Sequence, residues 1–321
     1  MNDQPLVTIG MPTYNRAGGY LRQALDSALA QTYPNCEIVV SDNCSTDRTP
    51  ELVRARASDR LRYFRHARNI GANENFNFCL EQARGRYFLL LHDDDRIDAD
   101  FVETCMRAVA NRTEVGAIRT GTRVIDDEGG VKSVKPNNCQ GMTAADVFLT
   151  WFAKGTALYL CSTLFNTERL RQHGGFDSPK GLYQDVVAFA NLAARYGTVD
   201  VEAPLASFRR HGENKGSSAS ALDWTEDSLF LLGLLCELMP DRAEELRRNG
   251  LPYLCQKCYR IARGIDSPVL RWRTYLTIYD RFERSYSPVS HSLRRNRNEA
   301  RSYVGRMLRS LRQSPKGTVS N

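Results

Sequence analysis

Several widespread signatures are missing from this 321-residue chain. No G-x-G-x-x-G follows the first apolar run and no G-x-x-x-x-G-K-[ST] occurs, which disfavours a dinucleotide oxidoreductase and a P-loop enzyme. The longest apolar run, residues 229–239, is shorter than the roughly 20 residues that a membrane-spanning helix needs. The first residues show no signal-peptide pattern, and we find no internal repeat. We therefore expect a cytoplasmic protein without a membrane span.

Cysteine is present but follows no recognisable framework. The nine cysteines are odd in number and lie mostly in apolar surroundings, which is typical of a reducing compartment. Cys255 and Cys258 form a C-x-x-C, but no second pair follows at the spacing of a zinc ribbon. A metal site or redox pair at these two cysteines is therefore disfavoured. The hydrophobic content of 42% is ordinary for a globular protein that buries a core.

The first hundred residues alternate apolar runs with segments of helical periodicity. Strands are predicted at residues 6–12, 36–42, 60–66 and 86–94, with the first stopped by Pro12, and helices at residues 18–31, 49–57 and 73–85. Apolar strands alternating with helices are typical of a parallel sheet covered on both faces. The pattern predicts an α/β fold whose ligands bind beyond the carboxyl ends of the strands.

Polar loops follow three of these strands, at residues 12–16, 42–47 and 92–95. We expect the three loops to meet in one crevice. The third contains Asp93, Asp94 and Asp95, whose like charges repel one another. A divalent cation such as Mg²⁺ or Mn²⁺ would compensate them and would also bind substrate phosphates. An ordinary acidic turn or helix cap is the alternative.

Seven motifs follow one another in order between residue 6 and about residue 216: "VTIGMPTYNR", "LDSALAQTY", "EIVVSDNCSTDRT", "NIGANENFNFCLEQARGRYFLLLHDDD", "GGFD", "QDVV" and "FRRHGEN". They resemble the motifs of family 2 glycosyltransferases with the GT-A fold. Each is weak alone, but the ordered set is specific. The resemblance implies a Rossmann-like, mostly parallel sheet flanked by helices. It also implies inverting transfer from a nucleotide-diphosphate sugar, with "HDDD" in the place of the family's D-x-D.

The loops offer groups that suit a nucleotide sugar. The ring of Tyr14 can stack on a base, unless it packs on its own helix. Asp42 can accept from a base N–H such as that of uracil, and an Asx-turn or cap with Ser45 and Asp47 is the alternative. The resemblance adds the N-x-G of Asn69 and Gly71 and the later Asn77 to the donor-binding residues. The alternative is that these residues form only a turn and the start of a helix. The predicted nucleotide-sugar-binding residues are Pro12, Tyr14, Asn15, Arg16, Asp42, Asn43, Asn69, Gly71, Asn77 and Asp93.

The resemblance assigns a divalent metal, Mn²⁺ or Mg²⁺, to Asp94, which aligns with the last acid of the family's D-x-D. Asp93 is expected at the ribose or at a metal-bound water. His211, in "FRRHGEN", resembles a family histidine that approaches the metal or the diphosphate, and a solvated loop histidine is the alternative. His92 stands where the family often has an acid, so it is not predicted as a ligand.

Asp185 occupies the position of the family's catalytic base. An acceptor hydroxyl must lose its proton as it attacks the anomeric carbon opposite the diphosphate, so one carboxylate suffices and no covalent intermediate is needed. The family usually has Glu-Asp there, whereas this chain has Gln184-Asp185, which removes a charge but keeps the base. The alternative is that Asp185 only caps its helix, a contribution of about 1 kcal/mol to stability.

The carboxyl-terminal part of the sequence is helical in pattern and basic. Residues 251–321 hold 15 Lys and Arg against 4 Asp and Glu, a net of +11 within a total of +7, so the remainder is acidic at −4. We predict a glycosyltransferase domain at residues 1–222, with a nucleotide-binding half at 1–98 and an acceptor-binding half at 99–222, followed by a basic helical region at 223–321. A helical apolar stripe consists of Ala300, Tyr303, Val304, Met307, Leu308 and Leu311, beside Arg301, Arg306, Arg309 and Arg312. It can lie on an anionic bilayer or pack onto the catalytic domain or a partner subunit.

These observations predict an enzyme that moves one sugar, from a UDP-sugar, to a glycan or lipid-linked acceptor in bacterial surface polysaccharide synthesis. The Q-x-x-R-W signature and membrane helices of processive polymerases are missing, which favours single addition. The expected location is cytoplasmic and peripheral on the inner face of the membrane. A nucleotidyltransferase would need a Gly-rich loop with a lysine, and a non-catalytic binding protein would be expected to lack Asp94 or Asp185. Nucleic-acid binding is disfavoured because the tail lacks interleaved aromatics.

Overall fold

The computed structural model of the chain describes residues 4–110, 114–211 and 219–291. The strands are β1 (Val7–Thr13), β2 (Cys36–Asp42), β3 (Leu61–Arg65), β4 (Tyr87–Leu90), β5 (Arg96–Ile97), β6 (Ala117–Ile125), β7 (Val131–Lys135), β8 (Thr163–Asn166) and β9 (Thr198–Arg209). The helices are α1 (Leu21–Leu29), α2 (Thr49–Arg54), α3 (Ala72–Gln82), α4 (Phe101–Val109), α5 (Ala144–Phe152), α6 (Thr167–Gln172), α7 (Gln184–Tyr196), α8 (Ala221–Leu238), α9 (Ala243–Ala262) and α10 (Pro268–Arg281). The apolar stripe predicted at residues 300–311 lies outside the described residues. None of the helices in the described ranges is long and apolar enough to cross a bilayer.

The nine strands form one mixed sheet in the order β3-β2-β1-β4-β8-β6-β9-β5, with β7 beside β6. The first four strands run parallel, as does the pair of β6 and β9. In contrast, β8 runs antiparallel to both β4 and β6. The predicted α/β fold with flanking helices is confirmed, and its parallel character is concentrated in the first half. Apolar periodicity identifies a buried strand but carries no information about its direction.

Strand β1 continues one residue beyond the end that the sequence predicted. The prediction that Pro12 stops the strand is wrong, because Pro12 pairs in register with Ser41 and Thr13 pairs with Asp42. The ladder with β4 has already ended, since its last bond runs from the N–H of Leu91 to the carbonyl of Gly10. Proline lacks an N–H, so it is tolerated at this position, where strand β4 no longer pairs with β1.

The strand register brings the three polar loops to one edge of the sheet. Thr13 lies beside Asp42, and Gly10 lies beside Leu90, so the chain leaves β1, β2 and β4 in the same direction. Close packing of β1 against the neighbouring strand β4 and against helix α3 holds this arrangement. A Cβ on Gly10 would lie 2.6 Å from the ring of Phe88 and 2.8 Å from the Cβ of Cys79, so only glycine fits at this crossing.

The chain separates into two compact units. The first comprises the residues up to Ala219 together with Glu226–Gly250, and it contains the sheet. The second comprises Ser220–Thr225 and the residues from Leu251 onward. Helices α8, α9 and α10 confirm the helical character predicted for the C-terminal region. The predicted domain boundary at residue 222 stays a prediction.

The second unit has a small core of its own. Tyr259 is buried, and its hydroxyl donates to the carbonyl of Tyr286 at 3.0 Å. Cys255 and Cys258 are buried in this core and are not joined in a disulfide. Burial raises the pKa of Cys255 to about 12, so its thiol is protonated at neutral pH. A buried, protonated thiol is a poor nucleophile.

Candidate active site at the carboxyl ends of the parallel strands

An acidic loop follows β4 and is the chemical centre of the site. Within the described ranges, one group of side chains has the geometry to hold a metal ion, namely His92, Asp94 and Asp95, whose ligand atoms all lie within 4.8 Å of one another. Asp94 and Asp95 are buried, at 8% and 1% exposure. The group contains Asp94, the predicted ligand, and adds Asp95 and His92. The sequence prediction left His92 out, and the turn after β4 brings its ring nitrogen close to the two carboxylates.

His211 approaches the acidic loop from the far end of the chain. Its Nε2 lies 2.8 Å from Oδ2 of Asp94, and its side chain is 5% exposed. The alternative of a solvated loop histidine is therefore wrong. The ring of His211 also lies 5.4 Å from that of Tyr20, at the start of α1. The contact with Asp94 is compatible with either ligation or orientation of the carboxylate, so the metal role of His211 stays a prediction.

Arg209, which the sequence did not single out, holds the acidic loop in shape. Arg209 is fully buried. Its backbone N–H donates to Oδ1 of Asp95 at 2.8 Å, and its side-chain Nε donates to the carbonyl of Asp94 at 2.9 Å. Its guanidinium also donates to the carbonyl of Asp126, and it lies 4.2 Å over the ring of Tyr20. The double arginine before His211 was the available signal, but sequence alone does not distinguish a buried arginine from a solvated one.

The electrostatics of the acidic loop favour a bound cation. Burial first, and then the charge of Asp94, raise the pKa of Asp93 to about 7, against smaller lowering effects from the Thr13 hydroxyl and Arg16. Burial and the charge of Asp94 also raise the pKa of Asp95 well above its ordinary range. A divalent cation would reverse these shifts, because it stabilises the ionised carboxylates. Two carboxylates and an imidazole are a suitable donor set for Mn²⁺, and Mg²⁺ takes the carboxylates.

The loop after β1 is bonded to the loop after β2. The N–H of Asn15 donates to Oγ of Ser45 at 2.9 Å, and Oδ1 of Asn15 accepts from the N–H of Thr46 at 2.8 Å. The Nε of Arg16 lies 3.8 Å from Oδ1 of Asp93, which links this pair of loops to the acidic loop. Tyr14 is 45% exposed, so its ring has a free surface on which a base could stack.

Asp42 is fully buried at the end of β2. Its carboxylate accepts from the N–H of Ser45 at 2.8 Å, which is the Asx-turn geometry left open by the sequence, and from the hydroxyl of Tyr63 at 2.6 Å. Arg65 is a more distant partner, with Nε at 3.8 Å. A turn-forming carboxylate retains lone pairs for another donor, so the predicted contact with a base stays a prediction.

Three predicted donor-binding residues form one hydrogen-bonded cluster. Nδ2 of Asn43 donates to Oδ1 of Asn69 at 2.9 Å, and the same oxygen accepts from the N–H of Gly71 at 2.8 Å. Oδ1 of Asn43 accepts from the N–H of Ile70. Gly71 has a φ of 88°, a backbone conformation that favours glycine. The structure thus brings the N-x-G turn against the loop after β2.

Asn77 is bonded to the backbone of Phe176. From helix α3, its Oδ1 accepts from the N–H of Phe176 at 2.9 Å and its Nδ2 donates to the carbonyl of Phe176 at 3.0 Å. It therefore docks the "GGFD" turn onto α3. A Cβ on Gly175 would lie 2.4 Å from Oδ1 of Asn77, and its φ is 71°, so glycine is required there. The contact of Asn77 with the donor stays a prediction.

Asp185 lies in the first turn of α7. The helix begins at Gln184 after the cap residue Tyr183, so Asp185 is the second helical residue and not the cap. Its Oδ1 accepts from the N–H of Val186 at 2.9 Å. An acid in the first turn interacts favourably with the helix dipole. Its role as a base stays a prediction.

Comparisons with known proteins agree with this architecture. The family model described as "Glycosyl transferase family 2" matches residues 8–157. An uncharacterized glycosyltransferase of Rickettsia felis is 29% identical over 255 residues, which cover 78% of this chain and 41% of that protein. The chain thus spans about two fifths of the length of this relative, as it does of two others from Rickettsia.

Two solved structures show the same fold. Staphylococcus aureus TarS residues 1–349, in complex with UDP-GlcNAc, has a TM-score of 0.59 and 18% identity over 88% of this chain and 93% of that one. The mannosyltransferase PcManGT from Pyrobaculum calidifontis, in complex with GDP-Man and Mn²⁺, has a TM-score of 0.54 and 20% identity over 87% of this chain and 82% of that one. The resemblance derived from the ordered motifs is confirmed: over residues 8–157 the chain matches the model of glycosyltransferase family 2, and its fold is that of the two solved structures.

Proposed function

We propose that this chain is a metal-dependent, inverting glycosyltransferase that moves a single sugar from a UDP-sugar to a glycan or lipid-linked acceptor. The observation that carries the proposal is the group of His92 and the buried Asp94 and Asp95 at the carboxyl end of β4. It lies on the edge where the loops after β1 and β2 leave the sheet. That edge is where open α/β sheets bind their ligands.

The donor would be held by the three loops. The exposed ring of Tyr14 provides a stacking surface for the base, and the carboxylate of Asp42 provides an acceptor for a base N–H. The ion pair of Arg16 and Asp93 would join the loops that bind the nucleoside to the acidic loop that binds the diphosphate. Asp94, with Asp95 and His92, would hold the divalent cation, which supplies Lewis-acid stabilisation of the leaving diphosphate.

Asp185 would accept the proton of the acceptor hydroxyl. As the hydroxyl oxygen forms a bond to the anomeric carbon, the bond between that carbon and the diphosphate oxygen breaks. The electron pair leaves with the nucleoside diphosphate, and the proton passes to the carboxylate of Asp185. One displacement inverts the anomeric configuration and leaves no covalent intermediate on the protein.

The donor and acceptor classes rest on separate lines of support. TarS in the complex cited above binds UDP-GlcNAc, whereas PcManGT binds GDP-Man with Mn²⁺, so both a uridine and a guanosine donor occur among proteins of this fold. Our proposal specifies uracil, whose single N–H between two carbonyls would donate to the Asp42 carboxylate. A lipid-linked acceptor in surface polysaccharide synthesis and a peripheral location at the membrane are supported by the basic tail.

A nucleotide-sugar screen tests the proposal directly. Thermal unfolding is measured with UDP, GDP, UDP-sugars and GDP-mannose, each with and without Mn²⁺, and the stabilising donor is then assayed for release of nucleoside diphosphate with glycan and lipid-linked acceptors. We expect stabilisation by a UDP-sugar that requires the cation. Pyrophosphate exchange with UTP would instead indicate a nucleotidyltransferase. Binding without turnover on any acceptor class would favour a non-catalytic binding protein.

A further inference from the structure

One buried carboxylate outside the proposed donor site binds a single loop of the first unit. Asp227, on helix α8, is fully buried. Its Oδ2 accepts from the hydroxyl of Ser178 at 2.7 Å, from the N–H of Leu182 at 2.8 Å and from the N–H of Tyr183 at 3.2 Å. Its Oδ1 accepts from the N–H of Lys180 at 2.7 Å. A carboxylate has about four acceptor positions, and here four donors from one short loop occupy them.

This loop leads directly into helix α7. The N–H of Tyr183 is bound to Asp227, and the carbonyl of Tyr183 accepts the N–H of Val187, which is the first bond of the helix. Asp185 lies two residues after Tyr183, in the first turn. The position of the Asp185 carboxylate therefore depends on where Asp227 holds the backbone of Tyr183. No side chain other than Asp227 bonds the N–H groups of both Lys180 and Leu182 in the described part of the chain.

The loop is anchored at its other end by a different helix. The backbone N–H and the carbonyl of Phe176 both bond to the side chain of Asn77 on α3. The same carbonyl also accepts from Nδ2 of Asn73. The segment between Phe176 and Gln184 is thus fixed at its start by α3 and along its remaining length by Asp227. Of the two anchors, Asp227 acts on the half of the loop that adjoins the first turn of α7.

We propose that Asp227 is a positioning residue for the acceptor side of the reaction: through the Ser178–Tyr183 loop it sets the geometry of the Asp185 carboxylate. The inference rests on the proposed function, because it takes Asp185 as the base. A misplacement of about 1 Å in a reacting group can reduce a rate by roughly a hundredfold. The carboxylate of Asp227 itself faces the loop backbone, so it takes no part in the chemistry.

The test compares Asp227→Asn with Glu226→Gln. Asparagine keeps one oxygen for the donors on Oδ2 but directs an NH₂ group at the N–H of Lys180, which loosens the loop. Glu226 neighbours Asp227 and pairs at 3.2 Å with Nζ of Lys180 on the surface, so its amide variant removes one charge at the same place without touching the loop backbone. Ser178→Ala, which removes one donor, is the milder variant should Asp227→Asn fail to fold.

Three measurements separate positioning from general stability. We expect Asp227→Asn to lower kcat about tenfold or more while the Kd for UDP with Mn²⁺ changes less than about twofold. In the Asp185→Asn background it should cause no further loss, because the base on which it acts is already absent. Hydrogen exchange at Lys180, Leu182 and Tyr183 should accelerate at least about tenfold in Asp227→Asn. None of these changes is expected in Glu226→Gln.

The outcomes that overturn the inference differ from those that overturn the function. A wild-type protein that transfers sugar, combined with an unchanged kcat in a folded Asp227→Asn, overturns the positioning role alone. An equal loss of kcat in the wild-type and Asp185→Asn backgrounds does so as well, because it shows that Asp227 acts independently of the base. A wild-type protein without transferase activity towards any donor overturns the proposed function, and the assignment of Asp185 with it.

Discussion

The Nε2 of His211 lies 2.8 Å from Oδ2 of Asp94, across 117 residues of sequence. This pair joins the segment after β9 to the acidic loop after β4, and it brings an imidazole to the carboxylate that we propose as the metal ligand. Mutation of a residue that hydrogen-bonds to a metal ligand typically lowers metal affinity by about 10- to 100-fold. The pair therefore suggests a direct test of the site.

Replacing His211 by alanine should weaken Mn²⁺-dependent binding of UDP by about tenfold or more, because Asp94 loses the partner that orients it. The affinity is measured by titration calorimetry at a fixed Mn²⁺ concentration. His173→Ala is the matched control, since Nε2 of His173 contacts the hydroxyl of Tyr196 instead. Equal affinities in the His211 variant and the wild type would show that this contact has no part in the metal site.

Asp94→Asn should abolish transfer and remove most of the Mn²⁺ dependence of UDP binding, because a neutral amide cannot compensate the cation. Product formation and calorimetry provide the two measurements. The exposed Asp59 provides a control, and Asp59→Asn should behave as the wild type. Near-normal turnover of the Asp94 variant in EDTA is the result that contradicts a metal at this residue.

Asp185→Asn should fold and bind UDP normally while kcat falls by about 10² or more, because the amide cannot accept the proton. Thermal unfolding should change only slightly, since an acid in a first helical turn contributes about 0.3–1 kcal/mol. Glu168→Gln, in the first turn of α6, measures that electrostatic contribution separately. A variant that loses stability but keeps its kcat would assign Asp185 a purely structural role.

In the absence of a divalent cation, the protein should lose stability as the pH rises through about 7. The pKa of Asp93 is higher in the folded protein than its ordinary value, so the folded state binds the extra proton and its advantage disappears when that proton is lost. We expect the Tm in EDTA to fall between pH 5 and pH 8 by at least about 2 °C more in the wild type than in Asp93→Asn. Added Mn²⁺ should reduce the difference. Parallel profiles in EDTA would refute the raised pKa.

The predicted tail stripe at residues 300–311 can be tested by flotation with liposomes that contain phosphatidylglycerol. The full-length protein should float at low salt, because each basic residue near an anionic surface contributes about 1 kcal/mol. Truncation before Glu299, or high salt, should release it. Equal flotation of the truncated protein would move the membrane contact elsewhere, and no flotation of either form would leave the stripe as core or interface.

The local patterns predicted the elements of the fold more reliably than their ends and directions. The apolar runs after residue 6 and residue 35 are β1 and β2, because buried parallel strands need apolar side chains on both faces. Pro12 misled the prediction of the end of β1, since β1 remains paired with β2 through Thr13, whereas its pairing with β4 has ended before Pro12. The antiparallel course of β8 has no counterpart in its composition.

The sequence by itself determined the family resemblance, the α/β architecture and the acidic loop, because these depend on short-range spacing and on motifs in a fixed order. Only the tertiary structure decided how Asp94 is surrounded by His92, Asp95, Arg209 and His211. It also decided that Asp227 of α8 binds the loop before α7. These contacts join residues that are up to 117 positions apart, and they form only when strand pairing and helix packing bring the segments together. A side chain's neighbours across such distances depend on the whole fold, and no local pattern encodes them.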